Sequence, residues 1–106
     1  MTEEMELICF QVISAAGTAK SNYVAAIQSA KEGRFDEART LIKDGDDMMI
    51  MAHEPHQKLL QWEAQGRTDI LCVLLVHAED QLMSCEVFRQ VALEFIEIYE
   101  KGVVRQ

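Results

Sequence analysis

Residues 71–83, with the sequence LCVLLVHAEDQLM, form the most apolar run of the chain and contain a histidine followed three residues later by an aspartate. Residues i and i+3 of an α-helix share a face, so His77 and Asp80 would point the same way from one helix. Burying an imidazole or a carboxylate without a partner is costly. The pair is therefore either hydrogen-bonded inside the core or used for function, and the spacing alone favours the core pair.

Composition predicts an all-helical protein. Of the 106 residues, 49% are hydrophobic, and five glycines and one proline leave little room for strands and tight turns. This length corresponds to one domain, which we assign to residues 1–106. The net charge of −8 argues against a nucleic-acid partner and against binding to an anionic membrane surface.

The cysteines and the first residues indicate a soluble protein that stays in the cytoplasm. Cys9, Cys72 and Cys85 are odd in number, lie in apolar helical runs and lack the paired spacing of a metal site. They are typical of reduced core residues. The start, MTEEMELICF, lacks the basic residues of a signal peptide, and no apolar run approaches the roughly 18 residues of a membrane span, so we expect no membrane insertion.

Helix 1 is predicted over about residues 3–32, with Thr2 as its N-cap and Gly33 as the residue that ends it. Gly17 follows two alanines and costs helix stability, so we expect a neighbouring helix to pack closely there. The apolar residues recur about every 3.5 positions, which predicts one inward stripe. That stripe consists of Ile8, Val12, Ala16, Ala19, Tyr23, Ile27 and Ala30.

Helix 2 is predicted over about residues 35–63. Gly45 weakens it and Pro55 removes an internal hydrogen bond, so we expect one bent helix rather than two. Either Thr68 or Asp69 is expected to cap the helix that follows. The apolar stripe of helix 2 is formed by Ala38, Leu41, Ile42, Met48, Met49, Ala52, Leu59 and Leu60.

Helix 3, predicted over about residues 69–101, carries two apolar faces. A helix in a three-helix bundle covers one broad face with its two neighbours, and a second copy of the chain is the simplest cover for the other. The sequence therefore predicts an antiparallel up-and-down three-helix bundle that self-associates along helix 3. The first face is Leu71, Leu74, Leu75, Ala78, Leu82, Cys85, Phe88, Ala92, Phe95 and Tyr99; the second is Ile70, Val73, His77, Asp80, Ser84, Val87, Val91 and Ile98.

The segment VHAEDQLM at residues 76–83 resembles the V-H-A-Q-D-H-L-M signature of the lactose/cellobiose-type enzyme IIA of the sugar phosphotransferase system. Glu79 replaces the Gln of that signature, and Gln81 replaces its second His. The similarity extends over nearly the whole chain, including the helix–glycine–helix pattern at Gly33 and the Ala52–His53 pair. The signature residues that match are His77, Ala78, Asp80, Leu82 and Met83.

The resemblance implies a homotrimer with its helices gathered about an axis. It implies that His77 accepts a phosphoryl group from the phosphocarrier HPr and passes it to a cysteine of a IIB component during disaccharide uptake. Neutral histidine is a good nucleophile for this chemistry. The resemblance also makes Asp80 the ligand of a divalent metal, Mg²⁺, which prefers oxygen ligands. Alternatively, Asp80 accepts a hydrogen bond or faces a wet channel.

Two residues differ from the signature. Gln81 donates a hydrogen bond but carries no charge, and Glu79 adds a negative charge that we expect to face away from His77. From these two differences we expect slower transfer or a changed partner protein rather than loss of activity.

Two other functions are compatible with the sequence. A non-catalytic adaptor or regulatory protein with the same fold is the first alternative. The second is a transition-metal site formed by His53, His56 and His77, although His56 is expected to be an ordinary polar-face residue and His53 to pack near the site.

Overall fold

The computed structural model describes residues 1–102 and consists of three α-helices, α1 (Glu3–Lys31), α2 (Phe35–Ala64) and α3 (Val73–Lys101). They run up, down and up in a bundle measuring 54 × 19 × 18 Å. The central packing partner is α1, which lies against both other helices, whereas α2 and α3 touch each other much less. The predicted all-α, antiparallel three-helix bundle is confirmed. The last residues of the predicted domain, 103–106, lie outside the described part.

The predicted ends of α1 are confirmed. The Thr2 hydroxyl oxygen accepts a hydrogen bond from the backbone N–H of Met5 at 3.2 Å, which satisfies one of the unpaired donors of the first turn. At the other end Gly33 adopts a φ of 80°, and its N–H donates to the carbonyl of Ala30 at 3.0 Å. This left-handed conformation favours glycine and ends the helix.

The predicted start of helix 3 at residue 69 is wrong, because α3 begins at Val73. The Asp69 carboxylate accepts two hydrogen bonds from Arg67, at 2.7 and 3.1 Å, and so is not available as a cap. Residues 68–71 form a turn closed by a 3.2 Å backbone hydrogen bond. That turn buries Ile70, which is 3% exposed. The burial of Ile70 and the pairing of Asp69 with Arg67 thus take the place of the predicted first turn of helix 3.

Alanine dominates the core. Within residues 1–102, nine of the twenty buried hydrophobic residues are alanines. The predicted stripe of helix 1 is confirmed, and most of the stripe of helix 2 is buried, although Leu60 is 48% exposed. Small side chains allow helix backbones to approach closely, which explains why α1 fits between two partners. The buried alanines are Ala15, Ala16, Ala19, Ala26, Ala30, Ala38, Ala52, Ala78 and Ala92.

The three cysteines are free thiols, as predicted. Cys9 and Cys85 are fully buried, and Cys72 is half-buried. Burial raises the pKa of the Cys9 thiol, with the neighbouring Cys72 and Glu79 acting in the same direction. The pKa of Cys85 is raised by burial as well. Both buried thiols therefore remain protonated and act as small apolar core residues.

The two mid-helix glycines have opposite environments. A Cβ atom added at Gly17 would meet no atom within 4 Å, so the expected close packing at Gly17 does not occur within the chain. A Cβ atom at Gly45 would lie 2.5 Å from Cε1 of Tyr23. The close approach of two helices is thus at Gly45, where the ring of a fully buried tyrosine lies against the backbone of α2. As predicted, α2 continues as one helix through Gly45 and Pro55.

Asp46 joins all three helices. Its Oδ1 accepts a hydrogen bond from the hydroxyl of Tyr23 in α1 at 2.6 Å. Its two oxygens also accept hydrogen bonds from Arg89 in α3 at 2.6 and 2.9 Å. The Arg89 guanidinium, together with the Tyr23 hydroxyl, lowers the pKa of the Asp46 carboxyl although partial burial opposes that shift. The charged form of Asp46 is therefore the form that stabilises the fold.

Polar pairs, rather than a broad apolar contact, hold α2 to α3. In the described residues three side-chain pairs cross between these two helices, and we call them rungs. Each rung joins a cationic or imidazole donor to a carboxylate, so each is directional in a way that apolar packing is not. The rungs are His56–Glu79, Asp46–Arg89 and Arg39–Glu100.

No helix within residues 1–102 is long and apolar enough to cross a bilayer.

Candidate functional site

His77 and Asp80 lie on the outer face of α3. Both side chains are exposed. Neither makes a side-chain hydrogen bond to another residue of the described part of the chain. The prediction of a hydrogen-bonded core pair is therefore wrong for this subunit. An imidazole and a carboxylate three residues apart are instead presented together to the outside.

The surface around His77 and Asp80 is apolar. Val73 is 85% exposed, Val76 59%, Met83 61% and Val87 62%. These side chains follow one another along the outer side of α3 and continue beyond the site to Val91, which is 39% exposed. Most of the second face predicted for helix 3 is thus exposed and has no cover within residues 1–102, but Ile70 is buried in the turn before α3, and Val76 and Met83 belong to the exposed surface although they were not predicted. We call this outward surface of α3 the open face.

The opposite side of α3 anchors the helix in the core. Ala78, next to His77, is 0% exposed, and Leu82 is 4% exposed. Both belong to the cluster of buried residues that includes the alanines of α1. His77 is therefore attached to a helix whose inner side is packed, while its own side chain is accessible. A side chain held in this way can meet a second protein without a large rearrangement.

Glu79 points away from His77, as expected, and towards α2. Its Oε1 lies 2.7 Å from Nε2 of His56. An ionised carboxylate accepts only, so the imidazole Nε2–H is the donor. His56 is therefore not the ordinary polar-face residue that the sequence suggested. Its partner is 23 residues away along the chain, and no local pattern joins the two positions.

Gln81 is half-buried. It makes no side-chain hydrogen bond among residues 1–102. Its amide remains available as a hydrogen-bond donor at the edge of the open face, one residue after Asp80.

The three histidines do not form a metal site. His53 is exposed, and His56 is engaged by Glu79. Residues 1–102 contain no group of three or more His, Cys, Asp or Glu side chains that could hold a metal ion. The predicted alternative of a histidine-based transition-metal site is therefore not supported within one chain. Asp80 likewise contributes one carboxylate per chain, so a Mg²⁺ site at Asp80 fits only where several copies bring their Asp80 side chains together.

His77 lies outside the groove between the first two helices. A groove of about 520 Å³ lies between α1 and α2, and Met48, Met51 and Lys58 are among its lining residues. His77 belongs to α3 and does not line this groove. Small-molecule enzymes usually bind their substrate in a concave pocket. An exposed histidine on a helix instead suits a reaction between two protein surfaces.

Comparison with known proteins gives a consistent assignment. Residues 7–100 match the family described as PTS system, Lactose/Cellobiose specific IIA subunit. A relative from Bacillus subtilis, the lichenan-specific phosphotransferase enzyme IIA component, is 41% identical over 101 residues, which cover 95% of this chain and 92% of the relative. A lactose-specific EIIA component from Streptococcus mutans is 35% identical over 100 residues, covering 94% of this chain and 96% of the relative.

Solved structures agree with the sequence relatives. The crystal structure of the cellobiose-specific enzyme IIA from Bacillus anthracis superposes with a TM-score of 0.90 at 36% identity, covering 100% of this chain and 96% of the other. The chitobiose IIA of Escherichia coli, solved in complex with HPr, superposes with a TM-score of 0.82 at 31% identity, covering 97% and 100% of the two chains. With its three-helix bundle, its signature on α3 and these matches, the chain belongs to the lactose/cellobiose-specific IIA family of the sugar phosphotransferase system.

Proposed function

We propose that this IIA component is a phosphohistidine carrier in which His77 receives a phosphoryl group from HPr and delivers it to a IIB component. The observation that carries the proposal is the exposed imidazole of His77, fixed on a packed helix at the position of the family's signature histidine. The E. coli relative solved with HPr supports the choice of donor. The carrier would serve uptake of a disaccharide of the lactose, cellobiose or chitobiose type.

The transfer is a pair of in-line displacements at phosphorus. A neutral ring nitrogen of His77 attacks the phosphoryl group of phospho-HPr, a nitrogen–phosphorus bond forms, and the bond to the donor breaks. In the second step a cysteine thiolate of IIB attacks the same phosphorus, and the His77 nitrogen leaves. Such transfers need positioning and charge stabilisation more than covalent help, which agrees with a site built from few polar groups.

The proposed carrier is a homotrimer assembled through the open face. Val73, Val76, Met83 and Val87 are each more than half exposed. A contiguous apolar surface of this kind marks an interaction site. Covering it with further copies of α3 would bring together the Asp80 side chains, which lie in its middle.

Asp80 is the residue that would hold a divalent cation in the trimer. Several carboxylates near one axis repel each other unless a cation or a proton lies between them. Mg²⁺ suits carboxylate oxygen ligands. When bound, it would supply positive charge at the centre of the interface. Asp80 would then tie the subunits together. His77 lies about 60° around the helix from Asp80, towards the edge of the open face, so its ring would remain accessible to the partner proteins.

The net charge of −8 favours basic partner surfaces over nucleic acid. We place the carrier in the cytoplasm, where it would act without entering the membrane.

Incubation with phosphoenolpyruvate, enzyme I and HPr, followed by intact mass measurement, tests the proposal. We expect the gain of one acid-labile phosphoryl group that maps to His77, and no gain in His77→Ala. Gln28→Ala is the control, because Gln28 is exposed on α1 and should leave the gain unchanged. Phosphorylation of His77→Ala at another residue would refute the assignment.

The alternative function, a non-catalytic adaptor that keeps the IIA fold, is favoured by the presence of Glu79 and Gln81 in place of the signature Gln and His. A folded chain that takes up no phosphoryl group from HPr would support that alternative. Restoring the signature with Glu79→Gln and Gln81→His would then show whether these two residues caused the loss.

A further inference from the structure

The rung nearest to His77 is His56–Glu79. Successive residues of an α-helix are separated by about 100°, so Glu79 lies roughly 200° around α3 from His77. Glu79 accordingly faces α2 while His77 faces outwards. The His56 side chain is 17% exposed and that of Glu79 is 36% exposed. The 2.7 Å contact is therefore partly sheltered from water, where a hydrogen bond to a charged group is stronger than at the surface.

The start of α3 has few other directional anchors. Its N-cap residue, Cys72, makes no side-chain capping hydrogen bond, and the first turn contains no acidic residue. Within residues 73–80, Glu79 makes the one side-chain hydrogen bond that the described structure contains. The remaining inward contacts of this stretch are made by half-buried Leu74 and Leu75 and by buried Ala78. Apolar contacts are non-directional, so the hydrogen bond of Glu79 is the directional contact that adds to this packing.

We propose that the His56–Glu79 rung positions His77 for phosphoryl transfer by fixing the rotation of α3 about its own axis. The inference rests on the proposed carrier function. Side-chain atoms of a helix lie about 5–6 Å from its axis, so a rotation of about 10° displaces them by roughly 1 Å. A misplacement of about 1 Å can cost on the order of a hundredfold in rate. His56 and Glu79 act through the helix and are positioning residues.

A set of four variants tests the rung by the steady-state kinetics of phosphorylation by phospho-HPr. Glu79→Ala and His56→Ala each remove one member of the rung, and we expect kcat to fall about tenfold with KM unchanged. Glu79→Gln keeps an oxygen that accepts from His56 Nε2–H, and it should restore most of kcat. Glu100→Ala is the matched control.

The control removes a rung of the same class far from the site. Glu100 pairs with Arg39 of α2 and lies roughly 35 Å beyond His77 along α3 at about 1.5 Å per residue. If rungs only stabilise the bundle, Glu100→Ala and Glu79→Ala will lower kcat alike, or neither will. Either result overturns the proposal, as does a loss in Glu79→Gln equal to that in Glu79→Ala.

A second measurement separates failure of this inference from failure of the carrier function. If the wild-type chain takes up no phosphoryl group, the carrier function is wrong. Amide hydrogen exchange over residues 74–80 then reports on the rung directly. Faster exchange there in Glu79→Ala than in Glu100→Ala supports the rung as the anchor of this end of α3. Equal exchange in the two variants overturns it.

Discussion

Replacing each mid-helix glycine with alanine should shift stability in opposite directions. In an exposed helix interior, glycine-to-alanine gains about 1 kcal/mol. At Gly17 the added Cβ meets nothing within 4 Å of the chain, so we expect a gain of about 0.5–1 kcal/mol. At Gly45 the same atom would lie 2.5 Å from Cε1 and 3.0 Å from Cδ1 and Cζ of Tyr23. That contact is too short to persist.

The tyrosine ring has little freedom to relieve the contact at Gly45. Tyr23 is 0% exposed, and its hydroxyl is tied to Asp46 at 2.6 Å. Overpacking of a core costs about 1–3 kcal/mol, and a wholly buried, tethered ring places Gly45→Ala at the upper end of that range. After the propensity gain of about 1 kcal/mol, we expect a net loss of about 1–2 kcal/mol. The two variants should thus differ by roughly 1.5–3 kcal/mol.

Urea unfolding followed by circular dichroism measures this difference, with the chain concentration held equal because association adds to apparent stability. Gly45→Ala should cost less in a Tyr23→Leu background, since the two positions touch and their effects are not additive. A Gly45→Ala protein as stable as the wild type would refute the reasoning. So would a Gly17→Ala protein destabilised as much as Gly45→Ala.

Three further outcomes are expected, the first from the structure and the other two from the proposed trimer and its proposed cation site at Asp80. Asp46→Asn should lower the free energy of unfolding by about 1–2 kcal/mol at neutral pH. Because the folded-state pKa of Asp46 is lowered, its contribution to stability is present above the ordinary carboxyl pKa and is lost as the pH falls below that value. Urea unfolding of the variant and the wild type should therefore converge in acid, and a difference independent of pH would contradict the role of the Asp46 charge. Val87→Asp places a charge on the open face and should convert the proposed trimer to single chains that remain helical. Light scattering that still gives three chains would exclude this face as the interface. A chelator should lower the Tm of the wild type but leave the Tm of Asp80→Asn unchanged, and an equal drop in both would place any bound cation elsewhere.

The parts of the fold that depend on local pattern could be predicted from the sequence. The stripe of α1 follows from the spacing of its apolar residues, and Thr2 and Gly33 carry the chemistry of a helix start and a helix end. The open face was also predictable, because the two neighbouring helices of a three-helix bundle cover only one apolar face of the third helix. His77 and Asp80, which match the family signature, lie within that face.

The missed features depend on contacts between distant residues. Asp69 is a good cap by residue type, but Arg67 binds it and Ile70 turns inwards, so α3 starts four residues late. Nothing local distinguishes Gly17 from Gly45; the difference is the tyrosine that the other helix places opposite one of them. His56 and Glu79 become partners only when α2 folds back along α3.

The alanine-rich core has a consequence for how the protein is made. A buried methyl contributes far less transfer free energy than a leucine side chain, at about 0.8 kcal/mol for each CH₂. With nine alanines among twenty buried hydrophobic residues, a single subunit gains little from collapsing alone. Burial of the open face between copies would supply the difference. If the proposed trimer forms in this way, folding of newly synthesised chains would depend on their concentration, and dilution would favour unfolding.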